Sequence, residues 1–172
     1  IMEDFKQRPK NDREWSALIK SSQKLPASKN LLTLTDRAFT SPDSMKAAID
    51  AQLKKRKIKA PTNLTGYTRL ICDSIGEGHA KCIRAFEGMT NKTFKRILIV
   101  GGGSKNQLLC QATADASGLP VISFSLEGTA VEAYYDQRMS LSGINSLGWT
   151  RYNVFLYGPI TWATINATNR QT

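Results

Sequence analysis

Three consecutive glycines, Gly101, Gly102 and Gly103, follow the apolar run Ile97, Leu98, Ile99, Val100 and precede Ser104 and Asn106. Without Cβ atoms, glycines reach positive φ and let a ligand approach the backbone, while Ser104 is placed to cap the helix that follows. That is a geometry suited to a nucleotide. The plainer reading is a tight strand-to-helix connection in an α/β domain. Two stronger phosphate-binding templates fail: no Lys-Ser or Lys-Thr pair closes a Walker A loop, and no third glycine stands at the dinucleotide-binding spacing.

Other reactive side chains carry less. His79 stands alone with no carboxylate or serine partner in sequence, and receives no role. Cys72, Cys82 and Cys110 lack the close pairs of a zinc site and read as reduced, buried thiols. Gln111 and Asp115 read as a solvated helix face. Neither a catalytic residue nor a metal ligand is therefore assigned. Asn-x-Thr sequons at Asn63, Asn91 and Asn166 are taken as chance.

The elements that must hold the loop can be read from periodicity. Ile1 to Leu25 is polar, with Phe5, Trp15, Leu18 and Ile19 as anchors, and is expected to be partly irregular with a short helix near Glu14. Ser41 and Pro42 predict a helix start, with Met45, Ile49 and Leu53 on its face and an end near Lys57. A longer helix is predicted from Asn63 to about Glu87, because Leu64, Tyr67, Ile71, Ile75, Cys82, Ile83 and Phe86 recur at helical spacing. Gly76 and Gly78 predict a bend near Ser74 to Gly78, and Gly88 a stop. A strand Arg96 to Val100, the glycine loop, a helix Lys105 to Ser117 and a strand Val121 to Phe124 then make a βαβ unit with a right-handed crossover. On that helix Leu108, Leu109, Ala112 and Ala116 are expected to face the sheet, with Gly118 as the stop.

Composition is compatible with one core: 41% of residues are apolar and 8% aromatic. The formal charge of +10 comes from 24 Lys and Arg against 14 acids, concentrated in Lys6 to Lys29 and in Lys54, Lys55, Arg56, Lys57 and Lys59. Such clusters can hold polyanions, but cations ending a helix complement its dipole, so nucleic acid is the weakest reading. No apolar run spans a bilayer and no charged-then-apolar leader is present, which favours a cytoplasmic protein with no membrane partner.

GGGSKNQLLCQATADASGLPV resembles the adenosine-binding motif of the FGGY carbohydrate kinases, most closely that of rhamnulokinases. The resemblance extends upstream through PDSMKAAIDAQLKKRKIKAPTNLTGYTRLICDSIGEGHAKCIRAFEGMTNKTF and downstream through EGTAVEAYYDQRMSL, covering Trp15 to Ile144. It implies an α/β fold, the C-terminal portion of an actin-like ATPase lobe of ribonuclease H-like type, with a mixed sheet and flanking helices. It implies residues 1–40 as a peripheral or poorly ordered segment, 41–144 as a partial nucleotide-binding lobe, and 145–172 as an unassigned tail. It also implies ATP and Mg²⁺ as cofactors, with the terminal phosphoryl moved to a sugar hydroxyl such as that of L-rhamnulose. Gly102 and Asn106 are then the adenosine contacts, with Gly101, Gly103 and Ser104 shaping the turn. The helix N-terminus would favour phosphate, and the Asn106 amide could meet an adenine edge.

The family's catalytic aspartate and its phosphate motifs lie upstream of the matching region, so the chain reads as a fragment or truncated relative without turnover of its own. The sugar would bind a missing N-terminal lobe. The resemblance also departs at one point. Within Glu127-Gly128-Thr129-Ala130-Val131-Glu132-Ala133, Glu132 and Ala133 replace an expected glycine and asparagine, while Gln137 and Met139 fit. This keeps open an alternative, a non-catalytic adenine-nucleotide-binding or interaction module.

Overall fold

The computed structural model describes residues 1–124 and 162–165. Its elements are α1 (Asp12–Gln23), α2 (Met45–Lys55), α3 (Leu64–Thr90), β1 (Ile97–Ile99), α4 (Gln107–Ser117), β2 (Val121–Phe124) and β3 (Trp162–Ile165), with 3-10 turns at Arg37–Phe39 and Gly101–Lys105. β1 pairs parallel with β2, Ile97 opposite Val121, and β2 pairs antiparallel with β3, Val121 opposite Ile165. The sheet is therefore mixed, in the order β1-β2-β3. The chain connects its two parallel strands through α4, the βαβ unit that the sequence predicts.

Each helix begins where a short polar side chain can accept a bond from a free backbone N–H. Asn11 accepts from Glu14 N on α1, and Asn63 accepts from Gly66 N on α3 at 2.8 Å. On α2 the cap is Ser44, which accepts from Ala47 N at 3.1 Å, rather than Ser41. The real cap lies three positions after the expected one, and Pro42 lies before the helix instead of in its first turn.

Helix α3 is continuous over 27 residues, with no break at Ser74 to Gly78. Gly76 is there for packing. A Cβ on it would stand 2.6 Å from the carbonyl carbon of Ala112 and 2.9 Å from the Thr113 nitrogen, so the glycine lets the backbones of α3 and α4 touch. Gly88 does not stop the helix either; α3 runs on to Thr90, and Asn91 closes it with φ of 54°. Its last turns leave the packed body: Phe86 and Met89 are 54% and 72% exposed, and Cys82 is exposed where a buried thiol was expected.

Two hydrophobic clusters flank the α3–α4 crossing. Leu32, Ile49, Leu53, Tyr67 and Leu70 join α2, α3 and the segment before α2, with Ile1, Phe5 and Phe39 packed against them. Cys110, Ala114 and Val121, with Ile97 and Ile99, seat α4 on the strands. The sheet-facing residues of α4 are thus Cys110 and Ala114 rather than Leu109 and Ala116, while Ala112 meets Gly76 of α3. Burying a side chain such as Leu53 or Leu108 contributes about 2 kcal/mol.

Candidate functional site

β1 delivers the chain into the glycine loop, which winds as a 3-10 turn from Gly101 to Lys105. Gly101 takes φ of 73°, a left-handed conformation that favours glycine. Ser104 does not cap α4. Its hydroxyl is turned inward, buried, and donates to the Gly101 carbonyl at 2.7 Å, closing the turn on itself. The cap is Asn106, whose Oδ1 accepts from Leu109 N at 3.1 Å, while its backbone N–H donates to the Gly103 carbonyl. Asn106 also donates through Nδ2 to Cys72 Sγ at 3.6 Å. Both ends of the amide expected to meet adenine are thus engaged within the protein, tying loop, α4 and α3 together.

The outer surface of the loop is open. Among the described residues, a Cβ added at Gly101 or Gly102 would meet nothing within 4 Å, and one at Gly103 would meet Ile99 Cγ2 at 3.8 Å, an ordinary contact. Gly102 and Gly103 are exposed. They form one side of a cleft of about 810 Å³ whose other wall is α1. Asp12, Ser16 and Lys20 follow one row along α1, Trp15 and Ile19 another, and Lys105, Asn106 and Gln107 complete the lining from the loop. That volume lies within the usual range for small-molecule sites. Lys20 and Lys105 make no ion pair among the described residues, so two ammonium groups are available to an anionic ligand.

Behind the loop lie two buried thiols. Cys110 Sγ approaches the Gly103 and Ser104 carbonyls at 3.9 and 3.8 Å, and Cys72 accepts from Asn106. Burial raises both thiol pKa values, so these groups support the loop as neutral, weakly polar packing. His79 likewise bridges helices, its Nδ1 3.0 Å from Thr113 Oγ1, and burial lowers its pKa. Gln111 and Asp115, expected as a solvated face, are partly buried, and Gln111 donates to Asp115 at 2.8 Å.

The structure thus brings Gly102, Gly103 and Asn106 into one cleft lining, and places Gly101 and Ser104 in the turn beneath it. Sequence reasoning missed α1 as a wall. The signal was present in Trp15 and Ile19 at i, i+4 spacing, but nothing local to α1 points to a loop some 80 residues later. Glu127 to Ala133, Gln137 and Met139 lie outside the described residues. Among the described residues no group of three or more His, Cys, Asp or Glu is placed to hold a metal ion. No helix among them is long and apolar enough to cross a membrane.

The family model of the FGGY family of carbohydrate kinases, C-terminal domain, matches residues 2–132. That span includes α1 through β2, and so both walls of the cleft. Kinases of this family are ATP-dependent, and their C-terminal domain is a lobe of the actin-like ATPase type, in keeping with the α/β arrangement of helices and parallel strands seen here. The chain belongs to the FGGY family of carbohydrate kinases and carries the family's C-terminal domain.

Proposed function

We propose that the glycine loop and the cleft above it bind the adenosine end of ATP in a rhamnulokinase-like kinase, which transfers the terminal phosphoryl to a ketose such as L-rhamnulose. The observation that carries this reading is Gly102. Its φ is not left-handed and a Cβ there would touch nothing among the described residues, so that part of the fold has no steric need for a glycine at this position. A need for close approach from outside supplies the reason. Gly101 and Ser104 set the turn, Gly103 continues its open face, and Asn106 fixes its distance from α4. The reading draws residues 12–23 into the nucleotide-binding part, which the sequence places at 41–144.

ATP when bound supplies the phosphoryl group; Lys20 and Lys105 offer cationic partners to its phosphates, and Mg²⁺ in such sites is held largely by phosphate and water. Phosphoryl transfer is not assigned to these residues. The family's catalytic base lies upstream of the matching motif, and the sugar, together with that base, meets the nucleotide only when two lobes close. Robust sugar-dependent ATP hydrolysis by the 172-residue chain would contradict this division.

Calorimetric titration with ADP and Mg²⁺ tests the binding claim. The folded wild type is expected to bind, and Gly102→Val to weaken binding by about tenfold or more with unchanged unfolding, because an added side chain occupies ligand space. Asn106→Ala is expected to weaken binding indirectly, by loosening the turn. No binding by the folded wild type, or a Gly102→Val variant that binds equally well, would overturn the reading.

A further inference from the structure

Trp15 is 39% exposed, yet it is not scattered on an open surface; it lines the cleft with Ile19, Gly102 and Gly103. Its indole makes no ring contact and no hydrogen bond among the described residues, unlike Phe5 and Tyr67, whose rings lie 5.6 Å apart. Beside it Ile19 adds a second apolar side chain, and the rest of the lining is polar or backbone: Asp12, Ser16, Lys20, Gln23, Lys105 and Gln107. Of the parts of a nucleotide, the ribose and phosphates suit the polar lining. The base alone brings a flat apolar face that an indole can match.

We infer that Trp15 is the base-stacking wall of this cleft, a specificity-neutral affinity residue supplied by α1 rather than by the glycine motif. The inference rests on the nucleotide reading of the same site and adds to it which part of the ligand α1 holds. Stacking uses a π face common to every base, so Trp15 strengthens binding of purine nucleotides without choosing adenine over guanine. Tripolyphosphate, which has no base, gains nothing from it.

The chain has three tryptophans, so a Trp149→Phe/Trp162→Phe variant leaves Trp15 as its one indole. ADP is expected to quench its emission saturably and tripolyphosphate to leave it unchanged. In calorimetry, Trp15→Ala is expected to lose about tenfold in affinity for ADP and GDP alike, with Trp15→Phe keeping most of it. Tripolyphosphate affinity should not move in either variant, which a general loosening of α1 would not produce. If the wild type binds ADP calorimetrically while Trp15 emission stays constant and Trp15→Ala binds as wild type, the stacking role is overturned and the nucleotide site stands. If the folded wild type gives no ADP heat, the site reading fails and this inference with it. Should Trp15→Ala not fold, the emission of the single-indole variant decides.

Discussion

The glycine loop at 101–106 and the segment at 25–36 both lack a strand or α-helix, but they are held in opposite ways. The loop closes on itself: Ser104 bonds Gly101, Asn106 N–H bonds Gly103, and Asn106 Oδ1 caps the helix three residues on. The 25–36 segment is fastened by side chains far away in sequence. Arg69 donates to the Leu25 carbonyl, Asp73 accepts from Ser28 N, Ser74 accepts from Leu32 N, and Arg56 donates to the Leu31 carbonyl. Gln52 brackets Thr33, accepting its N–H at 2.8 Å and donating to its carbonyl at 3.2 Å. A region with local bonds can keep its outer face free, whereas one whose polar groups are met by α2 and α3 is committed to them. The contrast separates a surface built for a ligand from a strap built for stability.

The largest effect should come from the strap. Asp73 and Arg69 form a pair at 2.8 Å with side chains 4% and 13% exposed, so Asp73→Ala leaves Arg69 Nε and the Ser28 N–H without their acceptor, with only the Leu25 carbonyl still bonded to the guanidinium. A loss of about 3 kcal/mol in urea unfolding is expected. A change below about 0.5 kcal/mol would mean that the strap does not depend on this carboxylate.

Between the two regions, Gly76→Ala should cost about 2 kcal/mol, because the new methyl meets backbone of α4 rather than a flexible side chain. Nucleotide binding should fall with it, since α4 carries the loop. Full stability in this variant would show that the helices can part without strain.

In the loop, Asn106→Ala removes the α4 cap and is expected to cost about 1 kcal/mol, whereas Asn106→Asp keeps an acceptor for Leu109 N and should recover most of it. Equal losses in both would place the weight on the bond to Cys72 instead.

The smallest effect concerns pH. His79 has its pKa lowered from 6.5 by burial, so below that value the unfolded chain binds more protons than the folded one. Stability therefore falls on acidification through and below pH 6.5 and is fully present above it. Substituting His79→Gln should flatten this component of the unfolding profile; an unchanged slope would assign it to other groups.

These contrasts also explain what could be read from the chain. The βαβ unit was legible because strand, glycine loop, helix and strand are specified by neighbours, and the match to residues 2–132 agrees with the family resemblance carried by that stretch. Gly76 and Gly88 misled as helix breakers. Propensity penalises glycine in a helix by about 1 kcal/mol, but tertiary packing at Ala112 outweighs it for Gly76, and Asn91 rather than Gly88 supplies the left-handed closure. Asn106 shows a second role that its sequence context hid: the amide that reads as a ligand contact also meets Leu109 N and a thiol 34 residues earlier. The α1 wall and the strap stayed hidden for the same physical reason, as their partners lie tens of residues away and the local pattern does not name them. Cys72 and Cys110 were legible as buried, while Cys82 was not, because α3 extends beyond the elements that cover its earlier turns.

Amide chemical shifts of the 172-residue chain, followed during titration with ADP, compare the two regions in one experiment. The account predicts the largest perturbations at Gly101 to Gly103, Lys105 and the Trp15 to Lys20 face of α1, with residues 25–36 nearly unmoved. Perturbations confined to 25–36, or none at saturating ADP, would contradict the claim that the glycine loop and α1 form the nucleotide site.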